Sequence, residues 1–339
     1  MQKRLLSILQ YLIFLGAGIF LVWWQLKGMT NIEKQEFANA FRYANYWLLI
    51  PIIIMALLSH LSRAIRWKYL MEPLDYDPKL KNVFAVVMVG YLANSAIPRL
   101  GEILKCTFLA RYEKLNVGKL VGTIIIERTF DFICFISLIA ITILIQIDVV
   151  GDYIQKEIIA FGKTAGLPIW LNGLIVLSII TLSVIIIKIL FRKHPHNKII
   201  YKTNLFLKGI TAGFKTIKQL KKKRLFLLHT IFIWTLYLLQ VYVGFQAMEG
   251  TSHLSIKAAC SVLTLASLAM IVTPGGIGSF PLFVMKTLFI YNIASPLGKA
   301  FGWMIWGVST GIIIITGLVC LLILPYINRK KDEISQQHT

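Results

Sequence analysis

The chain has 339 residues, of which 57% are hydrophobic, and a mean hydropathy of +0.72. That apolar share is above what a soluble domain carries. The formal charge of +21 does not mark a nucleic-acid binder, because the basic residues gather at the ends of apolar runs, as in polytopic membrane proteins.

In chain order, Lys3 and Arg4 precede an apolar run at 5–26. It is too long for a signal-peptide core and no small-residue cleavage site follows, so a retained first transmembrane helix is expected. The stretch 27–45, of mixed charge, reads as an external loop. The run 46–61 returns, with Arg63, Arg66 and Lys68 marking its cytoplasmic end. A full crossing by 83–97 would leave Arg99, Lys105, Arg111, Lys114 and Lys119 outside, against the positive-inside rule. A re-entrant hairpin, broken at Pro98 and Gly101 and returning through Arg111, removes the conflict.

The run 120–147 then exits, 148–166 is external and 167–190 returns. The following loop, 192–224, holds eleven Lys and Arg and no acid, and is placed in the cytoplasm. Within it Ile199, Phe206, Ile210, Phe214 and Ile217 alternate with lysines. Both an amphipathic helix on an anionic leaflet and a solvated topogenic loop fit this pattern. The run 225–248 exits again. Runs 254–273 and 280–290 flank Thr273-Pro-Gly-Gly-Ile-Gly278 and read as a second hairpin, opened from outside. The run 297–324 returns, leaving Arg329, Lys330 and Lys331 inside.

The expected fold is an all-α polytopic membrane protein with six full transmembrane helices and two re-entrant hairpins, eight transmembrane segments by hydropathy. Helix, helix, hairpin, helix occurs twice from opposite sides, the pattern of an inverted repeat with its site between broken helices. The repeats span 1–150 and 165–328 within a transmembrane domain at 1–328, and 329–339 forms a cytoplasmic tail. Eight ordinary helices with two proline kinks is the competing reading. A bacterial inner membrane is the expected location, with both termini cytoplasmic.

Charge inside a bilayer is costly, roughly 2.5–3.5 kcal/mol per residue on insertion scales, so intramembrane charge marks candidate sites. The first cluster is Asn94, Pro98, Arg99, Gly101, Glu102 and Lys105. Pro98 removes a backbone donor and Gly101 permits a sharp turn. Asn94 and the N-terminus of the returning half-helix suit an anion, and Arg99 suits a bidentate phosphate contact. Glu102 and Lys105 are placed to pair with each other or with Arg99. The second cluster is Glu127, Arg128 and Asp131 within the run 120–147, where Arg128 can reach Asp131 along the helix. These groups are expected to meet Arg99, Lys105, Arg63 or Arg66 across the bundle, either as an ion-pair lock or as a polar lining. Arg63 and Arg66 are candidate cytoplasmic-side anion contacts. The third element, Pro274, Gly275, Gly276 and Gly278, has only backbone N–H groups to offer, as an anion nest or a hinge.

Cys106, Cys134, Cys260 and Cys320 stand singly, without disulfide or zinc spacing. No HExxH or GxSxG pattern occurs, so neither a metal, a cofactor nor an enzymatic activity is expected.

The three motifs in this order resemble the lysylphosphatidylglycerol synthase transmembrane region, or flippase-like domain family. The resemblance covers nearly the whole chain. In the multiple-peptide-resistance proteins of that family this region adjoins an aminoacyl-transferase domain and moves the aminoacylated lipid between leaflets. Two positions depart from the family: Lys105 replaces the usual Arg, and Pro281 stands where an acid is frequent. No transferase domain is expected after Lys330. The resemblance implies translocation or handling of an anionic phospholipid or polyprenyl carrier without nucleotide hydrolysis, through the residues of the three motifs. A non-transporting partner of an envelope-lipid or glycosyl-transfer enzyme is the alternative.

Overall fold

The computed structural model describes residues 18–25, 27–146 and 220–336, together with Gly16 and Ser178. The expected elements at 148–166 and 167–190, and the amphipathic pattern between Ile199 and Ile217, lie outside the described residues.

Helix α1 (Asn31–Arg42) occupies what reads from sequence as a plain loop. The Thr30 hydroxyl accepts from the Glu33 backbone N–H, and the Glu33 carboxylate accepts from the Thr30 N–H. This reciprocal box satisfies two free donors of the first turn. Helix α2 (Leu49–Met71) runs ten residues beyond the apolar stretch that announced it. Arg63 and Arg66 therefore do not mark its exposed end; both are buried inside the bundle, because their counter-charges sit on a neighbouring helix.

There follow α3 (Leu80–Ala96), α4 (Leu100–Glu113), α5 (Val117–Ile145) and α6 (Lys223–Gln246). The last three are α7 (Ile256–Val272), α8 (Ser279–Ile290) and α9 (Ser295–Gln336). Helix α9 continues past Leu324 without a break, with Pro325 inside it. Among the described residues, Tyr46–Leu74, Val117–Ile145, Lys223–Gln246 and Ser295–Arg329 are long and apolar enough to cross a membrane. The chain is an all-α, multi-pass membrane protein.

Both expected hairpin breaks are present. Ile97, before Pro98, is extended at φ −133 and ψ 115, as steric contact with the proline ring requires. Arg99 then takes φ 69 and opens α4, and the Asn94 side-chain oxygen accepts the Gly101 N–H at 2.7 Å. At the second break Thr273 is extended before Pro274, and Gly275, Gly276 and Gly278 have φ of 61, 72 and 71. Glycine adopts that region without Cβ strain. At 1.5 Å per residue the arms of the first hairpin are about 25 and 21 Å long, short of a roughly 30 Å hydrocarbon core.

Packing sets the two halves against one another. Helices α2 and α6 are antiparallel: Ile52 shares a core with Phe245, while Arg66 bonds Thr230. The two helices that the expected repeat pairs thus run in opposite directions. Helix α3 lies antiparallel to α9, fixed by the reciprocal Asn82–Asn328 amide pair at 3.0 Å. Helix α5 meets α7 through Thr142 and Thr264 at 2.9 Å. One core joins α2–α5 with Phe226 and Leu324. The other joins α6–α9 with the start of α2.

Candidate functional site

Four helices converge on Glu127 and Asp131, which lie one turn apart on α5. Asp131 receives Arg63 Nη1 on one oxygen and Arg66 Nη2 on the other, each at 2.7 Å. Glu127, fully buried at 0% exposure, takes Lys105 Nζ at 3.1 Å on Oε2. Its Oε1 faces Arg66 at 3.4 Å and Arg63 at 3.6 Å. Arg63 Nη2 also donates to Tyr237 Oη at 3.2 Å, and Arg66 Nη1 to Thr230 Oγ1 at 3.3 Å. Aromatic faces complete the surroundings: Lys105 Nζ lies 4.7 Å from the Trp67 ring centre, and Arg66 Cζ 5.7 Å from that of Phe226.

Arg128 lies at the edge of this network. Its side chain is 43% exposed, and its Nε stands 3.6 Å from Glu102 Oε1, a looser pairing than those inside. Glu102, 27% exposed, keeps its other oxygen without a hydrogen bond. Among the described residues, Arg63 Nε, Arg66 Nε, Tyr91 Oη and Trp234 Nε1 are further buried donors without partners. His60, whose ring packs 5.2 Å from Tyr91, has a buried and unbonded Nδ1.

The network thus holds Arg63, Arg66, Lys105 and Arg128 against Glu102, Glu127 and Asp131, with one positive charge in excess among the described residues. A buried pair stripped of one partner is strongly unstable, while a full ion-pair set is often no better than apolar packing. Stability alone therefore gives no reason for seven charges here. Such a set can, however, coordinate a further anion at its exposed margin.

Of the cross-bundle pairings expected for Glu127 and Asp131, those with Lys105, Arg63 and Arg66 form and the one with Arg99 does not. Lys105 goes to Glu127 rather than to Glu102, because a fully buried carboxylate one helix away outcompetes an edge group on its own helix. Arg128 turns to Glu102, since both oxygens of Asp131 are already occupied by α2. Arg99 stays outside the network, exposed at the first hairpin tip with Pro98. The Asn94 oxygen caps α4 and so takes the Gly101 N–H, one of the half-helix donors expected to face an anion. Gly101 is a packing residue: a β-carbon there would lie 1.9 Å from Gly90 O.

The second tip is built against the first. A β-carbon on Gly275 would lie 4.0 Å from Ser95 Cβ, and Trp306 Nε1 bonds Gly275 O at 2.8 Å. Segment 18–25 closes the other side, with Gln25 Nε2 donating to Gly278 O at 2.8 Å. Pro274, Gly276 and Gly278 are buried in this contact. Tyr91, Tyr237 and Thr230 were not read from the sequence. A hydroxyl inside an apolar run at 83–97 or 225–248 is the only trace they leave there, while His60 shows only as a lone histidine at the end of the run 46–61.

The model of the Lysylphosphatidylglycerol synthase TM region matches residues 7–317. The chain belongs to that family. A UPF0104 membrane protein of Methanocaldococcus jannaschii is 23% identical over 350 residues, covering 98% of both chains. Another, from Methanothermobacter thermautotrophicus, is 22% identical over 295 residues, covering 78% of this chain and 81% of the relative. No solved structure gives a significant match. Family membership and several apolar helices agree on a membrane protein with a lipid-related setting.

Proposed function

We propose that this family member carries the headgroup of an anionic lipid between leaflets along the Arg128–Glu102 edge of the buried network, without nucleotide hydrolysis. The observation behind this reading is the unmatched positive charge beside a loosely held ion pair. A phosphate diester brings one negative charge and two free oxygens. It neutralises the excess by accepting from Arg128, whose Nε is held only loosely by the Glu102 carboxylate at 3.6 Å. The tight Arg63–Asp131–Arg66 and Lys105–Glu127 contacts hold the frame during this exchange. Opposed half-bundles with facing broken helices supply a pathway of the kind used in alternating access.

The test is headgroup flipping in proteoliposomes containing fluorescent phosphatidylglycerol. Wild type should exceed protein-free vesicles, Arg128→Gln should lower the rate about ten-fold, and Glu102→Gln should tighten headgroup binding. Wild-type rates equal to those of empty vesicles would falsify transport. Stable co-purification with an envelope enzyme in that event would favour an accessory role instead.

A further inference from the structure

Arg99 is a second cation in search of a counter-charge, and it lies apart from the network. It is exposed, holds a left-handed backbone at φ 69, and its side chain makes no hydrogen bond or ion pair among the described residues. A bulky side chain kept in that conformation marks a position the surrounding fold imposes. Fifteen residues separate Arg99 from Lys114, the cap at the other end of α4. That is about 22 Å of helix, set against a hydrocarbon core of roughly 30 Å. With Lys114 at one membrane face, Arg99 is about 8 Å below the opposite one, within reach of its phosphates by snorkelling.

Beside this tip an open groove of ≈ 580 Å³ runs between the first hairpin and α9. Leu92 and Ala96 of α3, Leu104 and Phe108 of α4, and Ile314 and Leu318 of α9 form its walls, with no charged residue in the lining. Ala96 lies three residues before Arg99, so the groove ends where the unpaired charge stands. An apolar trough capped by one cation matches the two parts of a lipid: hydrocarbon chain and phosphate.

We infer that the groove seats one chain of a monoanionic phospholipid from the leaflet opposite Lys114, with Arg99 on its phosphate. The site rests only on the chain's being in a membrane and holds whether or not the protein transports lipid. Native mass spectrometry of the full chain in detergent, titrated with phosphatidylglycerol and in parallel with phosphatidylcholine, reads it directly. Phosphatidylglycerol should bind several-fold more tightly. Arg99→Gln should erase that preference, weakening phosphatidylglycerol about ten-fold, and Arg99→Lys should keep most of it. Leu318→Trp should weaken both lipids by filling the groove. Arg99 is exposed, so its variants leave the packing intact. Equal phosphatidylglycerol binding by wild type and Arg99→Gln overturns the phosphate contact and leaves only unspecific boundary lipid. Tighter binding of a polyprenyl phosphate than of phosphatidylglycerol overturns the phospholipid assignment.

Discussion

Glu127 is the residue on which three cations depend, with Lys105, Arg66 and Arg63 within 3.1, 3.4 and 3.6 Å. Replacing it by glutamine leaves buried positive charge uncompensated, a defect of about 3–5 kcal/mol. Thermal unfolding in detergent should show that loss for Glu127→Gln, and the double change with Lys105→Met should recover part of it. Full additivity of the two changes would mean that the pair is not coupled. Gly101 supplies a steric counterpart. Gly101→Ala drives a methyl into Gly90 O and should destabilise by roughly 1–3 kcal/mol. Gly122→Ala, with nothing within 4 Å, should be neutral or better in the same assay. The sequence disclosed the charged positions, because charge is rare in apolar runs. It named four cations as their partners across the bundle but not which cation takes which carboxylate, since Arg63 lies 68 residues from Asp131 and helical spacing speaks only to neighbours three or four apart.

Elements were legible where backbone chemistry is local. Pro98 and Pro274 announced the two breaks because a missing N–H and a ring clash act on adjacent residues. Helix α1 was missed although Thr30-x-x-Glu33 spelled its start, since a mixed-charge stretch between apolar runs reads as a loop. Its box predicts a pH response. Hydrogen bonds from the Thr30 backbone N–H, then from its hydroxyl, hold the Glu33 carboxyl below its ordinary 4.5. A lowered folded value means the contribution is complete above the ordinary value and fades as pH falls through the folded one. Amide protection in the first turn of α1, corrected for intrinsic exchange, should be flat above about pH 5 and decline below it. In Glu33→Gln the decline should vanish; persistence of the same curve would show that another group controls it. Helix α2 outran its apolar signal because Ser62, Arg63 and Arg66 find partners inside the protein rather than in water.

For the whole molecule, the decisive contact is between the two broken tips. In a background lacking the four native cysteines, Ser95→Cys with Gly275→Cys should form a disulfide on mild oxidation. The 4.0 Å between the two β-carbon positions fits the 3.5–4.5 Å range for such bonds, though cysteine at φ 61 is strained. Peptide mapping without reductant detects the link. Its absence, with Ser95→Cys and Gly276→Cys equally unlinked, would mean that the tips do not meet.

Hydropathy and charge placement determined that this chain is a helical membrane protein, and Pro98 and Pro274 determined where its helices break. Those properties follow from side-chain transfer energies and from steric effects between adjacent residues, which are written in order along the chain. Tertiary structure alone decided which of the four candidate cations meet the acids: Arg63 and Arg66 both take Asp131, and Arg99 stands away from them at a groove. Partner choice is set by which charges share a dry interior, and only the packing of α2, α4, α5 and α6 creates that interior.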